Sequence, residues 1–487
     1  MKGDNFLQNA LLRPMMYPLA EGQQNESQMI DQLCGLELGR SIATVNPFGN
    51  AGNYYTYDPR MGWLDSPFTT IMPQIYNSYF KIVNLNGKEG LVYDWALLLR
   101  VMGTQRLSDI YGPMPYSKVG NGAYNVGYDD MPDLYNNLFT DLDAAVAGIK
   151  SAIETGDGVI KYLATADFIY QGDLHKWVRL ANTFRLRMAM RISKAAPDIA
   201  KKQAEKSVSD SYGLLDLGDA AWSTYNDGMN PLYRAAYAWG GEFMISADVT
   251  TFLEGFNDPR MPVYATPATA EADKGKYVGV RNGVEKTTDT KAGHNKLSNL
   301  NVTKDDPLLV MSAAESYFLR AEGALKGWNM GRTAEEFYKK GIEVSLKERG
   351  ISDSSTIETY LNGTSHQADY VCGSYPEDNC AHVSEVGVRF SVNADEQLEQ
   401  ILTQKWLASF PNSWEAWSDF RRTGYPKHFP IVDNKSLGTN DEVSTERGLR
   451  RIPFPPSEMN TNRENYDEAV RMIGGQDKAS VDLWWAK

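Results

Sequence analysis

Cysteine and histidine are scarce in this chain. Of its 487 residues, 3 are cysteines and 5 are histidines. Cys372 and Cys380 are close enough in sequence to close a small disulfide loop in an oxidising compartment, or they stay two free thiols, and the sequence leaves both alternatives open. Cys34 is then unpaired, and we expect a small buried residue there. Neither His175 nor His382 lies in a ligand-spaced motif, so the spacing predicts no metal site.

An excess of positive charge is also lacking. The net charge of −13 argues against nucleic acid and anionic membrane surfaces as partners, because both are bound by a surplus of Lys and Arg. No run of about 18 apolar residues predicts a membrane-spanning helix. Residues 1–12 have neither the basic cluster nor the long apolar core of a secretory signal. No Gly-rich phosphate loop, nucleophile elbow or zinc signature appears, so no motif indicates catalysis or a cofactor.

The clearest pattern is a pair of amphipathic helices within residues 307–350. Ser312 with Glu315, and Thr333 with Glu336, predict a capping box at the start of each helix. Small residues allow the two backbones to approach closely: Ala321, Ala324, Gly341 and Ser345. The pair is typical of a tetratricopeptide-type unit, which buries its apolar faces only by stacking on other helices. We therefore predict a mainly α fold, a scaffold of tetratricopeptide-like helical pairs with long irregular loops and little β structure.

Helical periodicity is strongest over residues 68–200 and 305–350, which we expect to form the scaffold. One helix carries four arginines, Arg179, Arg185, Arg187 and Arg191. They suit either phosphate binding or pairing with carboxylates, and the acidic composition favours the second. Periodicity fails over residues 45–67 and 213–304, which are rich in Gly, Asn and aromatic residues. Loops of this composition are candidates for a ligand-binding surface.

The C-terminal third resembles a known family. The segments Gln404–Phe410, Glu415–Pro426 and Arg450–Glu458, followed by Asn465 and Tyr466, are similar to the SusD/RagB family of nutrient-binding outer-membrane lipoproteins. Earlier segments agree and occur in the family's order: Leu107–Tyr116, Gly172–Trp177, Ala181–Arg191, Asn257–Arg260 and Ala314–Glu322. The resemblance covers most of the chain. It implies one SusD-like domain over residues 1–487, with residues 396–487 as the family's C-terminal segment.

The resemblance also implies a function and a location. Members are held to the outer face of a Bacteroidetes outer membrane by a lipidated N-terminal cysteine, and they pass captured oligosaccharides to a SusC-like TonB-dependent transporter. Cys34 lies too far into the chain to carry that lipid, so the anchor is implied by the resemblance alone. Trp406, Trp414 and Trp417 are expected to fill the core. Arg421 and Arg422 are expected to pair with carboxylates rather than with a ligand.

A saccharide site needs flat rings that stack on sugar C–H faces, together with amides and carboxylates that bind hydroxyl groups. The two irregular regions contain both kinds of residue. We predict that the rings come from Tyr54, Tyr57, Trp63, Tyr237 and Trp239, and that the polar contacts come from Asn53, Asp227 and Asn230. The competing interpretation of each ring is that it packs back onto the helices.

Two other functions compete with saccharide capture. A glycoside hydrolase needs two carboxylates about 5–10 Å apart across a cleft, and the sequence offers many acidic residues without distinguishing any. The neighbours Asp129 and Asp130, like Glu335 and Glu336, point apart on a helix and suit a solvated surface. Peptide capture, which some SusD relatives perform, is the second alternative.

Overall fold

The structure is a computed structural model that describes residues 2–48, 54–58, 63, 65–120, 122–156, 160–284 and 293–487. Helices dominate it. The α-helices are α1 Lys2–Met16, α2 Gln24–Ser27, α3 Ser66–Asn86, α4 Leu91–Tyr111, α5 Met131–Thr155, α6 Ile160–Leu163, α7 Leu174–Arg191, α8 Pro197–Val208, α9 Pro231–Tyr233, α10 Ala247–Gly255, α11 Met261–Tyr264, α12 Ala313–Leu325, α13 Ala334–Glu348, α14 Ser354–Leu361, α15 Ala394–Ala408, α16 Trp414–Thr423, α17 Pro456–Thr461 and α18 Arg463–Met472. Two π-helices, Gln28–Leu36 and Arg234–Ala238, continue α2 and α9. The prediction of a mainly α fold is confirmed.

The strands of the described residues are short and form two antiparallel pairs. They are β1 Ile42–Thr44, β2 Ala221–Ser223, β3 Phe243–Ile245 and β4 Leu308–Met311. In the first pair β1 lies against β3, with Ile42 opposite Ile245. In the second pair β2 lies against β4, with a register shift between Ala221 and Trp222. The β1–β3 pair matters for function because it joins the start of one irregular region to the other.

The predicted helical pair is present as α12 and α13. Thr333 and Glu336 form the expected capping box at the start of α13. At the start of α12 the Ser312 hydroxyl accepts from the Ala314 N–H, but the predicted partnership with Glu315 is wrong. A carboxylate at the far end of α13, that of Glu348, receives the Ser312 hydroxyl and the Ala313 N–H instead. A carboxylate from the neighbouring helix therefore takes the place of the predicted local partner, Glu315.

The backbones of this pair approach closely, as the small residues predicted. A Cβ placed on Gly341 would lie 2.8 Å from the ring of Phe318. Ala321 and Ser345 are buried in the same interface. One apolar cluster extends from Leu11 to Ala486 and joins these helices to the rest of the scaffold. Among the described residues, no helix has both the length and the apolar character needed to span a lipid bilayer.

The four arginines of α7 all pair with carboxylates, as the acidic composition predicted. Arg179 contacts Asp219 at 2.9 Å and Arg185 contacts Asp143 at 2.6 Å. Arg187 binds both oxygens of Glu315, and Arg191 binds both oxygens of Asp109 and one of Glu415. These pairs tie α7 to α4, α5, α12 and α16. The arginines are therefore structural and form no phosphate site.

The tryptophans and arginines of the C-terminal segment hold α15 and α16 in place. Trp406 and Trp417 are buried, whereas Trp414 is half-buried against the core. Arg422 binds both carboxylate oxygens of Glu322, as expected. Arg421 differs from the expectation, because its guanidinium donates to the backbone carbonyls of Asp109 and Arg450 and stacks on Trp417 at 3.5 Å.

All three cysteines are free thiols. Cys34 is fully buried as predicted, and burial raises the pKa of its thiol to about 12. Of the two alternatives for the other pair, the structure has the one without a disulfide. The Cys380 sulfur accepts from Arg281 at 2.7 Å, and the Cys372 thiol lies 3.6 Å from a carboxylate oxygen of Asp273.

Candidate functional site

The β1–β3 pair brings the two irregular regions together at one carboxylate, Glu242. The backbone N–H groups of Val45 and Asn46 donate to the Glu242 carbonyl at 2.8 and 3.0 Å. The side-chain amide of Asn46 donates to one carboxylate oxygen at 3.0 Å, and that of Gln28 donates to the other. Glu242 therefore joins β3 to the segment that leads into Phe48. The two irregular regions therefore meet at this residue.

Two residues after Asn46, the chain reaches an aromatic ring that contacts a second one. Phe48 and Trp63 meet edge to face, with ring centroids 5.7 Å apart. Both are half-buried, and both have positive φ angles, 47° and 59°. A bulky side chain rarely adopts this left-handed backbone conformation, and residues held in it are concentrated at functional sites. We name this pair the Phe48–Trp63 edge.

Tyr237 and Trp239 lie shortly before Glu242 in the chain, at the end of the π-helix Arg234–Ala238. Tyr237 is 37% exposed, and its hydroxyl donates to the Leu300 carbonyl. Its ring lies 5.3 Å from that of Tyr233. Trp239 is half-buried against the main core, and its backbone N–H closes the π-helix on the Arg234 carbonyl at 2.8 Å. Both rings are anchored and still reach the surface.

Two of the predicted ring platforms are buried instead. Tyr54 and Tyr57 are 4% and 3% exposed and belong to the main core. The Tyr57 hydroxyl accepts from the Arg40 guanidinium at 3.1 Å. Burial raises the pKa of both phenols. Tyr54 and Tyr57 therefore pack onto the helices, which was the competing interpretation, and they take no part in the proposed site.

The three residues predicted to supply polar contacts differ in their surroundings. Asn53 lies outside the described residues. Asp227 is exposed, and its backbone carbonyl accepts from Arg234 at 3.3 Å. Asn230 is buried and caps α9, because its side-chain oxygen accepts from the N–H groups of Leu232 and Tyr233. Its amide also donates to the Asp306 carbonyl at 2.9 Å, so its hydrogen bonds are structural.

Sequence reasoning missed a cavity of about 710 Å³ behind the segment that carries Tyr237. Tyr170, Trp222, Tyr264 and Phe410 supply its rings, and Asn230 and Leu300 lie in its wall. Arg349 also lines it, with its guanidinium carbon 5.2 Å from the Trp222 ring and 5.0 Å from the Tyr264 ring. The aromatic residues of the cavity are visible in the sequence, but they come from three distant parts of it, so no local pattern groups them. Trp222 and Tyr264 belonged to the candidate region 213–304, whereas Phe410 did not.

The structure is thus a scaffold of helical pairs with aromatic rings at its surface. The sequence model of the SusD-like family, described as SusD and RagB outer membrane lipoprotein, matches residues 1–486. The chain belongs to this family. No curated protein shows significant similarity to it.

Solved structures agree with this assignment. A SusD-like protein from Bacteroides thetaiotaomicron is 35% identical, with a TM-score of 0.91 over 98% of each chain. A chitin-binding SusD homologue from Flavobacterium johnsoniae is 34% identical, with a TM-score of 0.90 over 99% of this chain and 98% of the other. A SusD homologue from Bacteroides ovatus is 32% identical, with a TM-score of 0.89 over 99% of each chain. The fold and the family are thus shown together.

Proposed function

We propose that this protein captures oligosaccharides at the cell surface, without cleaving them, and passes them to a SusC-like TonB-dependent transporter in the outer membrane. An N-terminal lipid would hold it beside that transporter. Family membership supports this role in nutrient uptake. A saccharide ligand is supported by the chitin-binding homologue, which is similar to this chain over nearly its whole length.

The observation that carries the proposal is the face around Glu242. Phe48 of the Phe48–Trp63 edge follows two residues after Asn46, whose amide binds this carboxylate, and Tyr237 and Trp239 precede Glu242 by five and three residues. Aromatic side chains present a flat apolar surface, and two of these four residues are held in a strained backbone conformation.

Glu242 suits hydroxyl binding better than acid catalysis. Both of its carboxylate oxygens already accept from side-chain amides. A glycoside hydrolase needs a second carboxylate across the sugar and a general acid that keeps its proton. The rings and amides of this face therefore favour retention of the sugar without bond cleavage.

Affinity electrophoresis in gels that contain individual polysaccharides tests the proposal. The protein should be retarded by at least one of them, without release of reducing sugar. We expect Trp239→Ala to weaken retention by roughly thirtyfold or more, since truncating a central aromatic residue costs about 2 kcal/mol or more in binding. Tyr124→Ala is the matched control, because this tyrosine is 98% exposed on the loop between α4 and α5, outside both irregular regions. It should bind like the parent protein.

A second variant locates the ligand. Trp222→Ala alters the wall of the cavity but leaves the Glu242 face intact, so retention should be unchanged. Loss of retention in this variant together with normal retention in Trp239→Ala would refute the proposed location. Released reducing sugar would show an enzyme, and thermal stabilisation by oligopeptides alone would show a peptide receptor. The transporter partnership is tested separately, by co-purification of the native lipoprotein with a TonB-dependent barrel.

A further inference from the structure

Two histidines and one glutamate meet on a surface loop away from the ring face. His366, His382 and Glu385 each bring one ligand atom to within 4.8 Å of the other two. Nε2 of His382 lies 3.1 Å from a carboxylate oxygen of Glu385, and the two imidazole rings are 4.2 Å apart at their centroids. All three side chains are at least partly exposed, so an ion from solution can reach them.

The other nitrogen of each ring already has an acceptor. Nδ1 of His382 lies 2.6 Å from Oδ1 of Asp369, and Nδ1 of His366 lies 2.8 Å from the Gln367 carbonyl oxygen. A proton on each Nδ1 satisfies these contacts and leaves the lone pair of each Nε2 available. Metal-binding histidines almost always have this arrangement, in which a carboxylate or carbonyl fixes the tautomer and the ring orientation.

Buried hydrogen bonds hold the two parts of the loop together. Gln367 is fully buried, and its side-chain oxygen accepts from the N–H groups of Val383 and Ser384 at 2.9 and 3.2 Å. Its amide donates to Thr251 on α10 at 3.0 Å. The His382 N–H donates to the same carboxylate oxygen of Asp369 that faces the ring. The backbone beneath the three side chains is therefore fixed before any ion binds.

We propose that His366, His382 and Glu385 bind one zinc ion, with Asp369 as the acceptor that orients His382. Zn–N and Zn–O distances near 2.0–2.1 Å place tetrahedral ligand atoms roughly 3.4 Å apart. The His382–Glu385 contact at 3.1 Å is already close to that spacing, and the exposed side chain of His366 needs only a small rotation. Imidazole ligands select zinc and related first-row ions over Ca²⁺ and Mg²⁺. Water would take the remaining position.

Titration of the whole protein with Zn²⁺ against a chromophoric chelator tests this site. One ion per chain should bind. His382→Ala should abolish binding, and Asp369→Asn should weaken it by about 10–100-fold, the usual effect of losing a residue that orients a ligand. His175→Ala is the matched control, since this ring contacts Tyr212 elsewhere on the surface. It should leave the affinity unchanged.

Cysteine thiolates are the main alternative ligands for Zn²⁺ in this chain. The absorption spectrum of bound Co²⁺ distinguishes thiolate ligands from histidine and carboxylate ligands. A histidine and carboxylate site gives visible d–d bands without the charge-transfer absorption of a thiolate. The Cys372→Ser and Cys380→Ser double variant should therefore bind Zn²⁺ like the parent protein. The proposal is overturned if the His366→Ala and His382→Ala double variant keeps the parent stoichiometry and affinity, or if the Co²⁺ complex shows thiolate absorption. Circular dichroism of the histidine and Asp369 variants should match the parent protein, because these side chains are at least partly exposed. The double cysteine variant needs the same check before titration, because Cys372 is buried.

Discussion

The ion pair between Glu322 on α12 and Arg422 on α16 should be one of the strongest contributions to the stability of the scaffold. Both side chains are buried, and the two carboxylate oxygens accept from the guanidinium at 2.5 and 2.9 Å. Arg422 has one further carboxylate, Asp419, at 3.0 Å, and Asp419 also binds Lys405 at 2.8 Å. Glu322→Gln removes the charge with little change of shape. Asp419 is then the remaining carboxylate partner of Arg422, and it is shared with Lys405, which also contacts Glu415 at 3.1 Å.

Breaking a buried pair by neutralising one partner costs about 3–5 kcal/mol, because the other charge stays out of water. The introduced amide also turns an N–H group towards a guanidinium that can only donate. Folded proteins are stable by about 5–15 kcal/mol, so the loss is a large share of the total. Equilibrium urea unfolding followed by circular dichroism measures it.

The matched control is Glu335→Gln on α13. Glu335 contacts Lys339 at 2.7 Å, but both side chains are about half exposed. An exposed pair contributes about 0–1 kcal/mol. The two variants remove the same group from an ion pair on neighbouring helices and differ in burial. Equal losses of stability would refute the argument that burial makes the Glu322–Arg422 pair important.

The same pair gives a pH dependence with a definite sign. Burial alone raises the pKa of Glu322, but the Arg422 guanidinium outweighs it and holds the pKa at about 2, below the usual 4.5. A carboxyl whose pKa falls on folding contributes stability that is complete above its unfolded pKa and is lost as the pH falls through the folded value. The stability difference between the parent protein and Glu322→Gln should therefore be constant above about pH 5. It should shrink between about pH 4.5 and pH 2.

Three further substitutions separate structural residues from ligand-binding ones. Gly341→Ala places a methyl group 2.8 Å from the Phe318 ring and should cost about 1–3 kcal/mol in urea unfolding. Asn230→Ala removes the cap of α9 and should lower stability by about 1–2 kcal/mol, with retention in polysaccharide gels unchanged. Tyr57→Phe removes the hydroxyl that accepts from Arg40 and should cost about 1.5–3 kcal/mol, again without loss of retention.

The scaffold was predictable because helical periodicity is a local property. The helices of the 313–348 pair, the capping box at Thr333 and the close approach at Gly341 all follow from residues a few positions apart. The missed cap at Ser312 shows where this reasoning ends. Its hydroxyl and the neighbouring N–H find Glu348, and Glu315 is taken by Arg187 from another helix. A partner that arrives through tertiary packing leaves no local pattern.

The zinc cluster was hidden for the same reason. His366 and His382 lie on two parts of one loop, and their separation in sequence matches no ligand-spacing motif. The side chain that holds the two parts together is Gln367, whose buried amide has no distinctive sequence context. The division of the chain into a scaffold, a ligand region and a C-terminal segment remains a prediction.

The ring residues show most clearly why composition cannot place a binding site. Tyr57 and Tyr237 occur in equally aromatic and irregular segments, and both bind a partner through the hydroxyl group. The Tyr57 hydroxyl meets a buried guanidinium, so the whole ring is drawn into the core. The Tyr237 hydroxyl meets the backbone carbonyl of Leu300, which fixes one end of the ring and leaves its face in solvent. A hydrogen-bond partner at the edge of the scaffold thus holds a ring in place and leaves it exposed. Whether the partner lies at the edge or in the core depends on the tertiary fold, which composition does not reveal.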